Sequence, residues 1–401
     1  MSFVQAFGTL PLAALVQRSR HASVAKARQS LSKSRLTLAD FVNLISPAAS
    51  ELLEPLCRRS QVLTQQRFGK VIRFFAPLYL SNECINTCKY CSFSRDNSIL
   101  RVTLSIEEVL REAHALKEQG FRNILLVAGE HPKFVSRNYL TECVRVLHDE
   151  IPSVSLEVGP LEVGEYRLLS QAGADGLIVY QETYDRDVYG QVHTAGPKRD
   201  FDWRMETAER AYDAGFRRLG IGALHGLSDW RLEAIGLAAH TEHLLRHCWK
   251  AQITVSVPRL RPHVGEFQPL TQMSDRELVQ LVCALRVMFP DIGLVLSTRE
   301  RAELRDGLIP LGITHISAGS HTEPGGYTGA GREHIHRTER GRIVALPANA
   351  RQQRGSAEER PTEATPQFEI SDQRSAGEIA TLVQRLGYEP VWKDWDAALA
   401  Q

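Results

Sequence analysis

Eight short runs of β-branched, aliphatic and aromatic residues recur between Phe74 and Ser320, each followed by a longer amphipathic stretch. The runs are FFAPLYL from Phe74, NILLVAG from Asn123, VSLEVG from Val154, DGLIVYQ from Asp175, RLGIGAL from Arg218, ITVSVP from Ile253, IGLVLST from Ile292 and ITHISAG from Ile313. This alternation dictates a parallel sheet with helices outside it, because a chain must cross back before its next strand can lie parallel to the last. Capping boxes Ser105/Glu108 and Ser274/Glu277 open two of the intervening helices. Length alone allows two or three domains, but eight regular units fit one α/β domain, a (β/α)8 TIM-type barrel. A six-strand partial barrel is the alternative. The expected organisation is a helical N-terminal extension over 1–73, the barrel over 74–328, a disordered insertion over 329–366, and a C-terminal helix and tail over 367–401. The strand composition predicts a barrel interior packed with Val, Ile and Leu.

Composition narrows the function classes. The formal charge is +1, hydrophobic residues make up 43%, and no apolar run approaches the ~20 residues that a membrane helix requires. A near-neutral balance gives no whole-chain reason to bind nucleic acid. The expectation is a soluble cytoplasmic protein with no nucleic-acid or membrane partner. Two segments are locally basic. Met1 to Leu38 carries Arg18, Arg20, Lys26, Arg28, Lys33 and Arg35 with no acid; it reads as an amphipathic helical cover for the barrel rather than a transit peptide. The stretch from Gly329 to Pro366 is rich in Arg, Glu, Pro and Ala, and its weak apolar content predicts a solvated linker.

Cys84, Cys88 and Cys91 stand as C-x-x-x-C-x-x-C in NECINTCKYCSF. A [4Fe–4S] cube normally takes four thiolates, so a compact set of three leaves one iron open to a substrate or cofactor. A structural zinc needs four ligands, usually in two pairs, and neither His114 nor His131 completes such a spacing. Seven cysteines in 401 residues suggest a reducing compartment rather than a disulfide framework. Cys57, Cys143, Cys248 and Cys283 read as small core hydrophobes on helices.

With its neighbours, the triplet resembles a known family. FVNLISPAASELLE, LTQQRFGK, FFAPLYLSNECINTCKYCSFS, LVAGEHP, VYQETY, LSTRE, PGGY and EPVWKDWD together look like the 2-iminoacetate synthase family, the tyrosine lyases of thiamine thiazole synthesis within the radical S-adenosylmethionine (SAM) superfamily. One local departure is Ser92, where relatives usually carry Gly. The resemblance implies a cluster held by Cys84, Cys88 and Cys91, with SAM as exchangeable ligand of the fourth iron. It also implies Tyr90 beside the adenine, the Gly129-Glu130 strand edge against the SAM amino group, Glu182 and Arg204 on the methionyl end, and Gly226 in GIGALHG near the adenine. That loop is no G-x-G-x-x-G, so a dinucleotide reading is discounted. For the substrate, Arg299, a serine of HISAGS (Ser317 or Ser320) and Tyr79 would hold the glycyl end of L-tyrosine.

The implied activity is reductive SAM cleavage followed by Cα–Cβ scission to 2-iminoacetate and p-cresol. The implied partners are a low-potential donor of flavodoxin or ferredoxin type and thiazole synthase. A tryptophan lyase shares the barrel and the clamp. The tyrosine lyase of hydrogenase maturation needs a further C-terminal cysteine set, and here no cysteine follows Cys283. A non-catalytic iron–sulfur or zinc module is the alternative from another class.

Overall fold

In the computed structural model, which describes residues 1–339, 342–344 and 363–393, the strands in chain order are β1 (Val71–Ser81), β2 (Thr87–Cys88), β3 (Ile99–Arg101), β4 (Asn123–Ala128), β5 (Ser153–Glu157), β6 (Gly176–Ile178), β7 (His193–Ala195), β8 (Arg218–Gly222), β9 (Gln252–Ser256), β10 (Gly293–Leu296), β11 (His315–Ser317), β12 (His336–Glu339), β13 (Arg342–Val344) and β14 (Glu389–Val391). Eight of them run β1-β4-β5-β6-β8-β9-β10-β11, and β11 pairs with β1. Every one of these pairings is parallel. The eight runs singled out in the sequence are these eight strands, and the β1–β11 pairing closes a full barrel, so the partial barrel is excluded.

Strand periodicity explains how the barrel is filled, and it corrects one expectation. In β1, Ile72, Phe74, Ala76, Leu78 and Leu80 belong to the main hydrophobic core under the helices, while Arg73, Phe75, Pro77 and Tyr79 line a central cavity. The same two-residue alternation puts Ile124, Leu126, Val154, Leu156, Ile253 and Val255 outward and Ser153, Ser155, Glu157, Thr254 and Ser256 inward. Most Val, Ile and Leu of the strands therefore pack against the helices. The lumen is a cavity of about 800 Å³ with a mixed lining, in which Leu125, Val127, Ile178 and Val295 stand beside these polar side chains.

Six helical segments between Phe3 and Phe68 precede the barrel. They dock through satisfied backbone groups: buried Gln280 donates to the carbonyls of Leu44 and Ser46, and Phe3 stacks on His240 at 4.2 Å. At the other end, the helix Ala376–Arg385 starts with the capping box Ser375/Glu378. β14 then adds in parallel to the start of β1, where Trp392 meets Phe74 and Phe121 edge-on. A ninth parallel strand thus stands where only a tail was expected.

The expected disordered insertion is corrected in part. β12 pairs antiparallel with β3 and with β13, and Gly331 donates its N–H to buried Glu108. These residues fold because β3 offers a free edge that pairs their backbone, a gain that composition does not register. Residues 345–362 lie outside the described residues.

Candidate active site

The three cysteines leave β1 in a loop that the structure fastens at several points. Asn82 accepts from Val102 N–H at 2.8 Å and donates to the carbonyls of Leu100 and Thr365. The guanidinium of fully buried Arg101 donates to the carbonyls of Phe93 and Ser94. Gly129 ends β4 directly beneath the loop: a Cβ there would stand 2.2 Å from the Glu83 carbonyl oxygen, so only glycine admits this approach. Further along, β2 pairs with β7. Asn86, between Cys84 and Cys88, donates to Glu130 Oε2 at 2.7 Å and accepts from Lys198 N–H at 2.9 Å.

All three thiols are free. Burial pushes the Cys88 and Cys91 thiols up, so binding a metal centre here must release protons. Among the described residues, three ligating atoms come within 4.8 Å of one another only at Glu108, Glu333 and His334. A single tetrahedral ion at ~2.3 Å from each thiolate would hold the sulfurs about 3.8 Å apart. In a multi-iron cube, by contrast, each thiolate binds a different iron. Amide donors face two of the sulfurs, Asn86 Nδ2 at 3.7 Å from Cys84 Sγ and Gln367 Nε2 at 3.9 Å from Cys91 Sγ.

Beside this loop lies a buried group of charges. Glu182, just past β6, has φ +73°, a left-handed conformation that costs a non-glycine residue of order 1–3 kcal/mol. Its Oε1 meets Lys198 Nζ at 2.7 Å and Arg204 Nη2 at 3.4 Å. Burial alone would raise this carboxyl, but Lys198 and Arg204 outweigh it and hold the value at about 2. Arg204 Nε also donates to the Tyr180 carbonyl at 2.7 Å, and the residue is buried. Tyr90 is buried in one cluster with Cys88, Leu224 and Leu227; the last two flank Gly226, whose φ is +120°. The Tyr90 hydroxyl lies 2.7 Å from His193 Nε2, and His193 Nδ1 lies 3.0 Å from the Tyr189 carbonyl. Nδ1 therefore carries the proton and Nε2 accepts from the phenol. Burial, aided by Lys198, pushes the His193 pKa down to about 2 and keeps that tautomer neutral.

The substrate-clamp candidates converge on the open lumen. Tyr79, Arg299, Ser317 and Ser320 all line the cavity, and Tyr79 packs in one cluster with Cys84 and Cys91. Ser317 Oγ accepts from Thr298 N–H at 3.2 Å, whereas buried Ser320 Oγ has no partner among the described residues. A strap over 363–372 crosses this mouth. It is held by Ser92 N–H to the Gln367 carbonyl, Glu369 N–H to the Pro262 carbonyl and Ser371 N–H to the Thr298 carbonyl. Inside it, Gln367 Oε1 accepts from the Tyr79 hydroxyl at 2.8 Å, and Phe368 stacks under the Arg299 guanidinium at 3.4 Å. Stacking orients the plane of the guanidinium and leaves its donors at the edge.

Comparison with known proteins now decides the family. The Radical SAM superfamily model matches residues 78–238, and the Biotin and Thiamin Synthesis associated domain matches 256–389. The 2-iminoacetate synthase of Escherichia coli (strain K12) is 42% identical over 380 residues, 94% of this chain and 93% of that protein. The chain belongs to the 2-iminoacetate synthase family. Among solved structures, HydG, a maturase of the [FeFe]-hydrogenase, superposes with TM-score 0.84 at 29% identity, covering 97% of this chain and 81% of that one. HydG from Carboxydothermus hydrogenoformans gives TM-score 0.77 at 34% identity, covering 96% and 80%. Membership of the radical SAM superfamily implies a [4Fe–4S] cluster and SAM.

Several residues of this site escape a reading by motifs. Gln367 and Phe368 follow a polar, aperiodic stretch and carry no signal of their own. Lys198 sits in a short turn, and His193 lies at the end of an unremarkable helix. Glu157 is different, because a carboxylate at the C-terminal end of a barrel strand is itself a flag.

Proposed function

We propose that this chain is a radical SAM lyase that cleaves the Cα–Cβ bond of L-tyrosine to 2-iminoacetate (dehydroglycine) and p-cresol, with methionine and 5′-deoxyadenosine, for the thiazole of thiamine. The observation that carries it is the convergence of Tyr79, Arg299 and the HISAGS serines on one cavity packed against Cys84 and Cys91, in a chain of this family. Cys84, Cys88 and Cys91 would hold the cluster. Tyr90, Gly129, Glu130, Glu182, Arg204 and Gly226 would hold SAM. When bound, cluster and SAM supply the carbon-centred radical that starts the reaction.

The residues of the chain supply position and shelter. Arg299 offers a bidentate fork to the substrate carboxylate, on a guanidinium already oriented by Phe368. Ser320, with an unpartnered buried hydroxyl, completes that end together with Ser317. Tyr79, tied to Gln367, fixes the distance from the clamp to the cysteine loop, and the strap over the mouth keeps bulk water from the reacting atoms. The labile imine passes to thiazole synthase, and reducing equivalents come from a flavodoxin- or ferredoxin-type donor. No helix among the described residues is long and apolar enough to cross a membrane, in keeping with a cytoplasmic site of action.

The test is an anaerobic incubation of reconstituted protein with SAM, a strong reductant and either tyrosine or tryptophan, read by mass analysis. Formation of p-cresol, glyoxylate from hydrolysed imine, and 5′-deoxyadenosine from tyrosine alone is the expected result. Deoxyadenosine without p-cresol would keep the radical SAM chemistry and remove the tyrosine assignment.

A further inference from the structure

Glu157 is the last residue of β5, paired in register with Val127 of β4, and it lines the same cavity as Tyr79, Arg299 and Ser320. The other two acidic candidates at this mouth are engaged: Glu182 by Lys198 and Arg204, Glu130 by Asn86. Glu157 enters no ion pair and no side-chain hydrogen bond among the described residues. A carboxylate placed in a cavity without a partner is a site awaiting a donor.

The charges around Glu157 say which donor. Tyr79 faces it from β1 and Tyr180 from beyond β6. Glu182, Arg204 and Lys198 act on it from the cysteine-loop side, and Arg299 from the clamp. It therefore lies within electrostatic reach of both the cation that suits a substrate carboxylate and the charges beside the cysteine loop. An amino acid whose carboxylate rests on Arg299 would hold its α-nitrogen in the cavity that Glu157 also lines.

We propose that Glu157 is a catalytic residue that binds the α-ammonium of the substrate and accepts a proton from it. This rests on the lyase reading above and deepens it. The step is a proton transfer without redox change: the N–H bond breaks, an O–H bond forms on Glu157, and the nitrogen keeps the electron pair. The chemistry requires it, because an ammonium has no lone pair, whereas the imine product has a C=N bond built from one. Burial, with Glu182 adding to it, outweighs Arg299, Arg204 and Lys198 and raises the Glu157 pKa to about 7. A base there takes protons readily at neutral pH.

The test uses the reconstituted protein, wild type and Glu157→Gln, after the iron–sulfur spectrum and its change on SAM addition confirm that both are intact. Calorimetry then compares three ligands: tyrosine, phenylalanine, and 3-(4-hydroxyphenyl)propionate, which lacks the amine. The expected result is a loss of about tenfold to a hundredfold in affinity for tyrosine and phenylalanine, the range that a charge-assisted hydrogen bond supports, with the deaminated ligand unchanged. Wild-type kcat/KM should fall as pH drops below about 7, and Glu157→Gln should lack that limb. Weakened binding of the two phenols with phenylalanine unchanged would overturn the proposal by placing Glu157 on the ring hydroxyl. Unchanged affinities and an unchanged pH profile would overturn it outright. If wild type binds tyrosine through Glu157 yet yields no p-cresol, the lyase reading falls and the ammonium site stands.

Discussion

Glu182 and Glu157 stand at the ends of neighbouring strands, yet the protein treats them in opposite ways. Glu182 is clamped between Lys198 and Arg204 in a strained backbone conformation, whereas Glu157 lines the cavity with no partner among the described residues. The same split divides the barrel mouth. On the cysteine-loop side Asn86, Tyr90, Glu130 and His193 all have partners; on the clamp side Tyr79 and Ser317 are tied down, but Glu157 and Ser320 lack partners among the described residues, and the Arg299 guanidinium rests on the Phe368 ring. A resident cofactor is served by groups fixed in advance. A transient substrate is served by groups whose partners arrive with it.

The strongest way to break this contrast is to remove the cysteine loop's purpose. Cys84→Ala, Cys88→Ala or Cys91→Ala should each abolish the iron–sulfur absorption and all deoxyadenosine formation, while Cys248→Ala, buried far from the loop, should leave both intact. Retained SAM cleavage in any of the three would undo the ligand assignment. Next comes Lys198→Ala, which leaves Glu182 with Arg204 alone. Breaking a buried pair costs ~3–5 kcal/mol, so denaturant unfolding should show a loss of that order, with SAM binding weakened in parallel. On the clamp side, Arg299→Ala should raise KM for tyrosine about tenfold to a hundredfold and leave the cluster spectrum unchanged.

Acid and base sharpen the contrast between the two carboxylates. Glu182 is held at about 2, below its ordinary value of 4.5, so its stabilisation is fully present above pH 4.5 and disappears as pH falls towards 2. Glu157 is raised from 4.5 to about 7, so it destabilises the folded state increasingly as pH rises from 4.5 and fully above 7. Melting curves should therefore show Glu182→Gln less stable than wild type at pH 7 and Glu157→Gln more stable at pH 8. Each difference should be on the order of 3 kcal/mol and vanish at the acid end of its window. The smallest effect expected is that of Gln367→Ala, which removes a neutral hydrogen bond to Tyr79 and a long amide contact to Cys91 Sγ. A bond worth ~1 kcal/mol predicts a loss of about fivefold in kcat/KM, and no loss would show that the strap merely covers the site.

The departures from expectation are as informative as the agreements. The barrel interior was expected to be packed with Val, Ile and Leu, but alternation turns most of them towards the helices, so that Ser, Thr, Glu and Arg share the lumen with Leu125, Val127, Ile178 and Val295. Residues 336–339 and 342–344 were expected to be disordered, but β12 pairs with the edge of β3 and β13 with β12.

What the sequence determined by itself was local or periodic. Eight strand–helix units, two capping boxes and a compact cysteine triplet are legible because each depends on residues close together in the chain. Only the tertiary structure decided that the strap 363–372 lies over the mouth, that Lys198 completes the Glu182 pair, and that Glu157, without a partner among the described residues, lines the same cavity as Arg299. Those relations join residues up to 288 positions apart, as Tyr79 and Gln367 are. Barrel closure and the docking of the C-terminal segment create them, and no local pattern encodes them.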